Sequence, residues 1–303
     1  PVKPMGIGPL SIGLTGEQLT YLVSIDIMMC GIATFLQVYQ NKFFGIGLPV
    51  VLGCTFTAVG PIIAIGNQYS VGSIYGAIIA SGLIVVVISK YFSKLVKFFP
   101  PVVTGSVVTV IGVTLIPVAM NNLAGGQGSS NFGAVENVLL GFGTLLFILA
   151  IFRFFNGFIR SIAILLGILA GTLAASFMGM VDFSAVKEAS WFHLPKLFFI
   201  ETPEFHIMPI VTMTLVAIVS LVESTGVYFA LSDICEKKIN EHDIARGYRS
   251  EGIAIVLGGI FNAFPYTTFS QNVGLLQLSG VKSKNIIYTA AGMLVLLGLV
   301  PKI

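Results

Sequence analysis

Charge is what this sequence has least of. Of 303 residues only 10% are Asp, Glu, Lys or Arg, against roughly 25% in a soluble globular domain. The stretch from Gly45 to Ser89 holds no charged residue at all. Cysteine is nearly as scarce: Cys30, Cys54 and Cys235 form no CxxC pair, which argues against a disulfide frame or a thiolate zinc site. The three histidines, His193, His206 and His242, sit in polar connections and make no HxH or HExxH pattern, so metal-dependent membrane enzymology has no ligand set. The first eighteen residues show neither a basic n-region nor a cleavage site, and no signal peptide is expected from them.

What is abundant is apolar: 55% of residues are hydrophobic and the mean hydropathy is +0.96. Such a chain is built for lipid, which excludes a water-soluble enzyme, a nucleic-acid binder and a disordered hub. The net charge of +3 then reports loop topology and says nothing of a nucleic-acid partner. Because a helix needs about 20 apolar residues to cross a bilayer core of about 30 Å, ten candidate spans can be drawn. They run Leu19 to Tyr39, Gly45 to Gly66, Val71 to Ser89, Phe99 to Met120, Val138 to Phe152, Ser161 to Val181, Ile207 to Leu231, Gly252 to Phe264, Tyr266 to Gly280 and Ile286 to Pro301.

If these spans alternate, one set of loops carries Lys42; Lys90, Lys94 and Lys97; Arg153 and Arg160; Lys237, Lys238, Arg246 and Arg249; and Lys282 and Lys284. That is 12 of the 16 basic residues. The positive-inside rule makes those loops cytoplasmic in a multi-pass protein of the cell membrane, and Asp233 to Glu251, with both signs mixed, reads as a cytoplasmic linker.

Proline and glycine interrupt three spans: Pro49, Gly60 and Pro61 the second, Pro117 the fourth, Pro265, Gly274 and Gly280 the ninth. A broken backbone survives in lipid only where protein or a cavity surrounds it, since each unpaired amide costs several kcal/mol. The second and ninth spans also resemble each other. Thr55-Phe56 is followed by Val59-Gly60 and Gly66, and Thr268-Phe269 by Val273-Gly274 and Gly280. Paired interrupted segments in two halves of a chain point to the midplane site of a repeat-built transporter.

Two acids lie deep in apolar spans, Asp26 and Glu223, with no base at comparable depth. A carboxylate there costs roughly 2.5 to 3.5 kcal/mol on insertion scales and is expected to face the interior or a cavity. Desolvation of such a group also suits it to proton exchange. Glu223 is followed by Ser224, Thr225 and Gly226, a run that can open a helix and offer hydroxyls; Asp26 has Ser24 and Thr34 nearby, which could satisfy it locally. Ser270-Gln271-Asn272 puts amides, each a donor and an acceptor, in the interrupted ninth span, where they suit a planar heterocycle. Phe56, at the matching place in the second span, offers a flat apolar face.

The run Gln271-Asn272-Val273-Gly274-Leu275-Leu276-Gln277-Leu278-Ser279-Gly280 resembles the signature of the nucleobase/ascorbate transporters, the nucleobase:cation symporter 2 family. Glu223-Ser224-Thr225-Gly226 resembles that family's eighth-helix motif, and Gly53-Cys54-Thr55-Phe56 the start of its third helix. Within the family the likeness is greatest to bacterial xanthine permeases. The resemblance implies an all-α membrane fold of two inverted seven-helix repeats, with short strands in two broken spans. A core domain (1–98 and 207–303 here) would move against a gate domain (99–206). The chain would supply helices two to eleven of that fold, without the first and the last three.

By the same resemblance, Glu223 would accept hydrogen bonds from ring N–H groups of a nucleobase and Gln271 would read the neighbouring edge. Asn272 would orient the segment, Phe56 would stack on the ring, and the backbone at Ala58 and Gly274 would lie close by. A glutamine at the first signature position is similar to purine carriers, so the implied activity is proton symport of a purine, xanthine first, with uric acid, guanine, hypoxanthine or uracil as alternatives. Two departures stand out. Val227 occupies a place where many members carry a His or Asp, which leaves coupling to Glu223 or Asp26, with sodium the alternative ion. The signature ends in Ser279-Gly280 where the family has Thr and a basic residue. The implied partners are the base, the coupling ion, the lipid bilayer and a second copy of the chain through the gate domain. No cofactor is called for. An anion carrier of the same fold would want a cation at the site without Glu223.

Overall fold

The computed structural model describes residues 16–95, 106, 109, 110, 113, 116, 117, 119–126, 131–181, 192, 194–279 and 282–300. The candidate span Phe99 to Met120, the loop residue Lys187 and the last signature residue Gly280 lie largely or wholly outside them. The chain divides into two compact units, one of Val113–Ala189 with Pro1–Thr15, the other of Gly16–Gly112 with Ser190–Ile303.

The larger unit is built from α1 (Gly16–Val38), β1 (Leu52–Cys54), a 3-10 turn (Phe56–Ala58), α2 (Val59–Gln68) and α3 (Val71–Leu95) in its first half. In the smaller unit α4 (Val135–Phe154), α5 (Phe158–Ser161) and α6 (Ala163–Phe177) follow. The larger unit resumes with α7 (Ile207–Ile234), α8 (Glu241–Ile260), β2 (Tyr266–Thr268), α9 (Gln271–Ser279) and α10 (Lys284–Gly298). Among the described residues four helices, α1, α3, α4 and α7, are long and apolar enough to cross a membrane.

The two interrupted spans are not helices with kinks. Each is a short strand followed by a short helix, and the strands pair antiparallel with Leu52 opposite Thr268, Gly53 opposite Thr267 and Cys54 opposite Tyr266. The Thr-Phe repeat aligns Gly53 with Tyr266 and Cys54 with Thr267. The register therefore places a pseudo-two-fold axis through the middle of these four residues. The ladder continues at both ends, with Thr55 N donating to Pro265 O at 2.9 Å and Phe269 N to Val51 O at 3.0 Å. Thr34 of α1 adds to the outer edge, its hydroxyl accepting from Leu52 N at 2.9 Å.

One sequence expectation is overturned. The segment Asp233 to Glu251 is not a linker: from Glu241 onward it is α8, and Gly252 to Phe264 is only the second part of that helix and its exit. Asn240 caps α8, its side-chain oxygen accepting from the amides of His242 and Asp243, both at 3.0 Å, while Asp243 accepts from Asn240 N at 3.1 Å. This capping box satisfies first-turn amides. Its basic residues are also clamps: Lys237 Nζ donates to Gly47 O at 3.1 Å, Arg246 to Asn41 O at 3.3 Å and Arg249 to Phe43 O at 2.7 Å. They fasten the loop after α1, whose Gly45 and Gly47 take φ of 91° and 69°. Mixed charge hid a helix because three basic residues of the segment reach this loop while the helix packs along α3.

Helices α3 and α8 cross at two glycines. A Cβ on Gly82 would lie 2.8 Å from Gly252 O, and one on Gly252 2.9 Å from Gly82 O. Backbone approach of this kind is how helices gain contact in lipid, where apolar burial gives no preference for a partner helix. At the opposite end of α3, Glu204 N donates to Gly72 O at 2.9 Å and its carboxylate accepts from the hydroxyls of Ser70 and Ser73. The Ser70 hydrogen bond holds the exposed Glu204 carboxyl below its ordinary range. In the smaller unit α4 and α6 pack through Thr144 and Gly171, where a Cβ would meet the threonine hydroxyl at 2.8 Å.

Gly82→Leu is expected to destabilise the protein by about 1–3 kcal/mol through overpacking, read as a lowered melting temperature in detergent. Gly292→Leu, where a Cβ meets nothing within 4 Å, should melt within about 0.5 kcal/mol of wild type.

Candidate functional site

Helix α7 touches both broken segments, packing against the 3-10 turn and α2 of the first and against β2 and α9 of the second. Its register decides which side chains reach them. Ser220 and Ser224, four residues apart, share a face. Ser220 Oγ lies 3.3 Å from Thr55 Oγ1 and 3.2 Å from Thr57 Oγ1, and the two threonine hydroxyls are 2.6 Å apart. Ser224 Oγ lies 3.1 Å from Thr267 Oγ1 and accepts from Thr268 Oγ1 at 2.9 Å. One serine thus holds the start of the first broken segment and the other the strand of the second.

Glu223 sits between those two anchor points in the sequence of α7. It is half-buried and has no hydrogen-bond or ionic partner among the described residues. Phe56 leads the 3-10 turn that α7 contacts, and its ring is 53% exposed. That leaves one face of the ring uncovered, as it is for several other phenylalanines of the protein such as Phe43 and Phe205. Ala58, by contrast, is buried at 1% exposure, and Gly274 stands open with nothing within 4 Å of a Cβ position. Asn272 keeps its side-chain Nδ2 buried without a hydrogen-bond partner, while its backbone N donates to Phe269 O at 3.2 Å. Gln271 begins α9, and its side chain lies outside what is described. Phe56, Ala58, Glu223, Gln271, Asn272 and Gly274 are all carried by the 3-10 turn, α7 and α9, and α7 meets both of the others.

Asp26 stands apart from that group. It is on α1, and its carboxylate accepts from Tyr266 OH at 2.9 Å and from Phe264 N at 3.5 Å. Neither Ser24 nor Thr34 satisfies it, because Thr34 is bonded to Leu52. Nor does the run Ser224-Thr225-Gly226 open α7, which is continuous from Ile207 to Ile234. The hydroxyls are absorbed instead: Thr225 donates to Leu221 O at 2.7 Å within the helix, and Ser224 bonds across to α8.

The residue that sequence reasoning missed is Glu251. It was taken for the end of a linker, yet it is 1% exposed, one of the most buried side chains in the molecule. Both its oxygens are used, one accepting from Tyr228 OH, itself bonded to Gln37 Nε2, the other from Ser224 Oγ at 3.0 Å. A chain of polar contacts therefore runs from Gln37 through Tyr228, Glu251 and Ser224 to Thr267 and Thr268, three residues before Gln271. The available signal was Glu251-Gly252 at the start of an apolar run, eight residues past a capping pattern. Ser224→Ala removes the shared partner of Glu251 and of two threonines, and should cost about 1–3 kcal/mol because buried polar groups are left unpaired. Tyr266→Phe should cost a comparable amount by stripping Asp26 of its hydroxyl donor. Both are read by denaturation in detergent.

With this geometry in hand, the comparisons with known proteins fall into place. Residues 2–303 match the model of a Permease family. The uric acid permease PucK of Bacillus subtilis is 65% identical over 99% of this chain and 69% of its own length. A xanthine permease of the same organism is 60% identical over the whole chain and 69% of its own length. The uric acid transporter UacT of Escherichia coli is 41% identical over 99% of the chain and 62% of its own. Among solved structures, the transmembrane domain of the cyanobacterial bicarbonate transporter BicA superposes with a TM-score of 0.62 at 12% identity, covering 96% of this chain and 84% of that one. That likeness shows the helical fold of a transporter's transmembrane domain, and the two short strands stand in the broken spans as the resemblance in the sequence implied. The family is one of permeases and not of enzymes, and a chain matched from residue 2 to its last residue, with relatives at 60% identity and above, belongs to it.

Proposed function

We propose that this chain carries an oxidised purine, xanthine or uric acid, across the cell membrane by proton symport and alternating access. The observation that carries the reading is Glu223: a half-buried carboxylate without a hydrogen-bond or ionic partner among the described residues, on a helix that meets both broken segments. A lone carboxylate at membrane depth is costly, and a purine offering ring N–H donors satisfies it in the bound state. Phe56, with its exposed ring, suits stacking on the flat heterocycle. Asn272, with a buried unpaired amide, and Gln271, at the start of α9, suit the remaining polar edge, and the backbone at Ala58 and Gly274 completes the surroundings. The names of the relatives at 65% and 60% identity, a uric acid and a xanthine permease, support oxidised purines over guanine, hypoxanthine or uracil.

In this reading Glu223 accepts the ring N–H of the base as a carboxylate, and it is also the first candidate for exchanging the coupling proton. Asp26 is the second candidate for the proton. Its hydrogen bond to Tyr266 ties its charge state to the strand that precedes Gln271. We assign 1–98 and 207–303 to the core and 99–206 to the gate, whose surface would serve a homodimer; the compact units draw the division at Val113 and Ala189 instead. The clamps from Lys237 and Arg249, and the Lys282–Glu236 ion pair at 3.0 Å, bring the basic loops of the larger unit to one end. That supports the same side for Lys90, Lys237 and Lys282, and with Arg153 we place it in the cytoplasm.

Binding of radiolabelled urate and xanthine to the purified protein tests this. Glu223→Gln should weaken both by roughly ten- to a hundredfold, the loss of a charge-assisted hydrogen bond of about 1.5–3 kcal/mol, and Gln271→Glu should shift preference toward uracil. Unlabelled bicarbonate should not compete. Unchanged purine affinity in Glu223→Gln, or displacement by bicarbonate, contradicts the reading.

A further inference from the structure

A second polar concavity lies away from the purine site, between the C-terminal end of α3 and the N-terminal part of α8. It is a cleft of about 630 Å³ whose walls include Lys90 and Lys94 from α3 and Asn240, Glu241, His242 and Arg249 from α8 and its cap. Three permanent cations face one carboxylate, that of Glu241. The cations are not absorbed by protein acids. Lys90 and Lys94 are exposed and have no ion-pair partner among the described residues, and Glu241 pairs with neither. Arg249 is held in place by neutral groups alone. It donates to Phe43 O at 2.7 Å and Ser89 Oγ at 3.2 Å and lies over the Phe43 ring at 5.0 Å. The guanidinium is oriented but its charge is uncompensated. The first-turn amides of α8 do not make the site, because the Asn240 side chain already occupies them.

The surface beside the cleft says what kind of anion fits. Leu83, Val87, Lys90 and Lys94 follow one another on α3 at spacings of four, three and four, which sets them on one stripe of the helix. Leu83 is 54% and Val87 70% exposed. An apolar track thus runs into a pair of lysines and then into the cleft. This is the profile of an amphiphile with chains along Leu83 and Val87 and a phosphate at the lysines. Basic pockets between helices at the membrane surface take lipid headgroups by the same chemistry.

We propose that this cleft is a binding site for a phosphate group, supplied by an anionic phospholipid. It is independent of the purine reading. Arg249 fixes the floor of the site while Lys90 and Lys94 close on the phosphate from α3. Occupancy ties the end of α3 to α8, the two helices that cross at Gly82 and Gly252.

The test compares the purified full chain with two double variants, Lys90→Gln/Lys94→Gln in the cleft and Lys42→Gln/Lys238→Gln on exposed lysines outside its lining. Arg249 is left alone because it also clamps the Phe43 carbonyl. Retention of phosphatidylglycerol is measured by native mass spectrometry and by the upward shift in melting temperature, with phosphatidylcholine and inorganic phosphate as separate arms. Phosphatidylglycerol should bind on the order of tenfold more weakly to the cleft variant and unchanged to the control, which has lost the same charge. Phosphatidylcholine should not substitute. Stabilisation by inorganic phosphate alone, lost in the cleft variant, contradicts the lipid as source and leaves a site for soluble phosphate. Equal losses in both double variants, or no response to either phosphate source, overturn the site altogether.

Discussion

The structure turns on one constraint: two interrupted segments within lipid must satisfy their backbone, and they do so with each other. Antiparallel pairing of Leu52–Cys54 with Tyr266–Thr268, extended by Thr55 to Pro265 and Phe269 to Val51, closes the hydrogen-bond ladder that neither segment could complete alone. Because the partners are repeat-related, the pairing brings the two halves of the chain together at their most irregular point. It also starts a short helix from each end of the ladder, and so holds irregular backbone with polar side chains inside the protein.

What holds that ladder in position is a set of polar side chains on the neighbouring helices. Thr34 and Asp26 on α1 bind Leu52 and Tyr266, Ser220 on α7 meets Thr55 and Thr57, and Ser224 joins Thr267 and Thr268 to Glu251 on α8. Every one of these groups is spoken for within the protein. Glu223, one residue from Ser224, has no such partner among the described residues, and that contrast is why we propose it for the ligand. The same distinction reassigns Asp26 in part: its depth suggested proton exchange, but its bonds to Tyr266 and Phe264 give it a first task in positioning β2.

Much of this was legible in the sequence. The scarcity of charge, the ten apolar stretches and the paired Thr-Phe/Val-Gly segments point to a repeat-built carrier, and the strands appear where the interruptions fall. What could not be read is instructive. Glu251 is masked by the charges upstream of it, because hydropathy averages over a helix whose first turns clamp a loop and whose later turns are buried. The continuity of α7 through Ser224-Thr225-Gly226 is equally hidden, since those hydroxyls are satisfied by α8 and by Leu221 O, partners that no local pattern reveals. The basic residues near Asn240 counted toward topology, yet three of them are fastened to carbonyls of the 41–47 loop.

The likeness to a bicarbonate carrier's membrane domain at 12% identity shows how little of the fold specifies the solute. In this chain we propose that the choice rests on the carboxylate of Glu223 and the exposed ring of Phe56, carried by α7 and by the 3-10 turn it contacts. The most direct measurement is a structure of the protein saturated with urate or xanthine. A purine lying against Phe56, with a ring N–H within hydrogen-bond distance of the Glu223 carboxylate and its other edge toward α9, is the expected result. A purine bound elsewhere, with Glu223 still unpartnered, would contradict it.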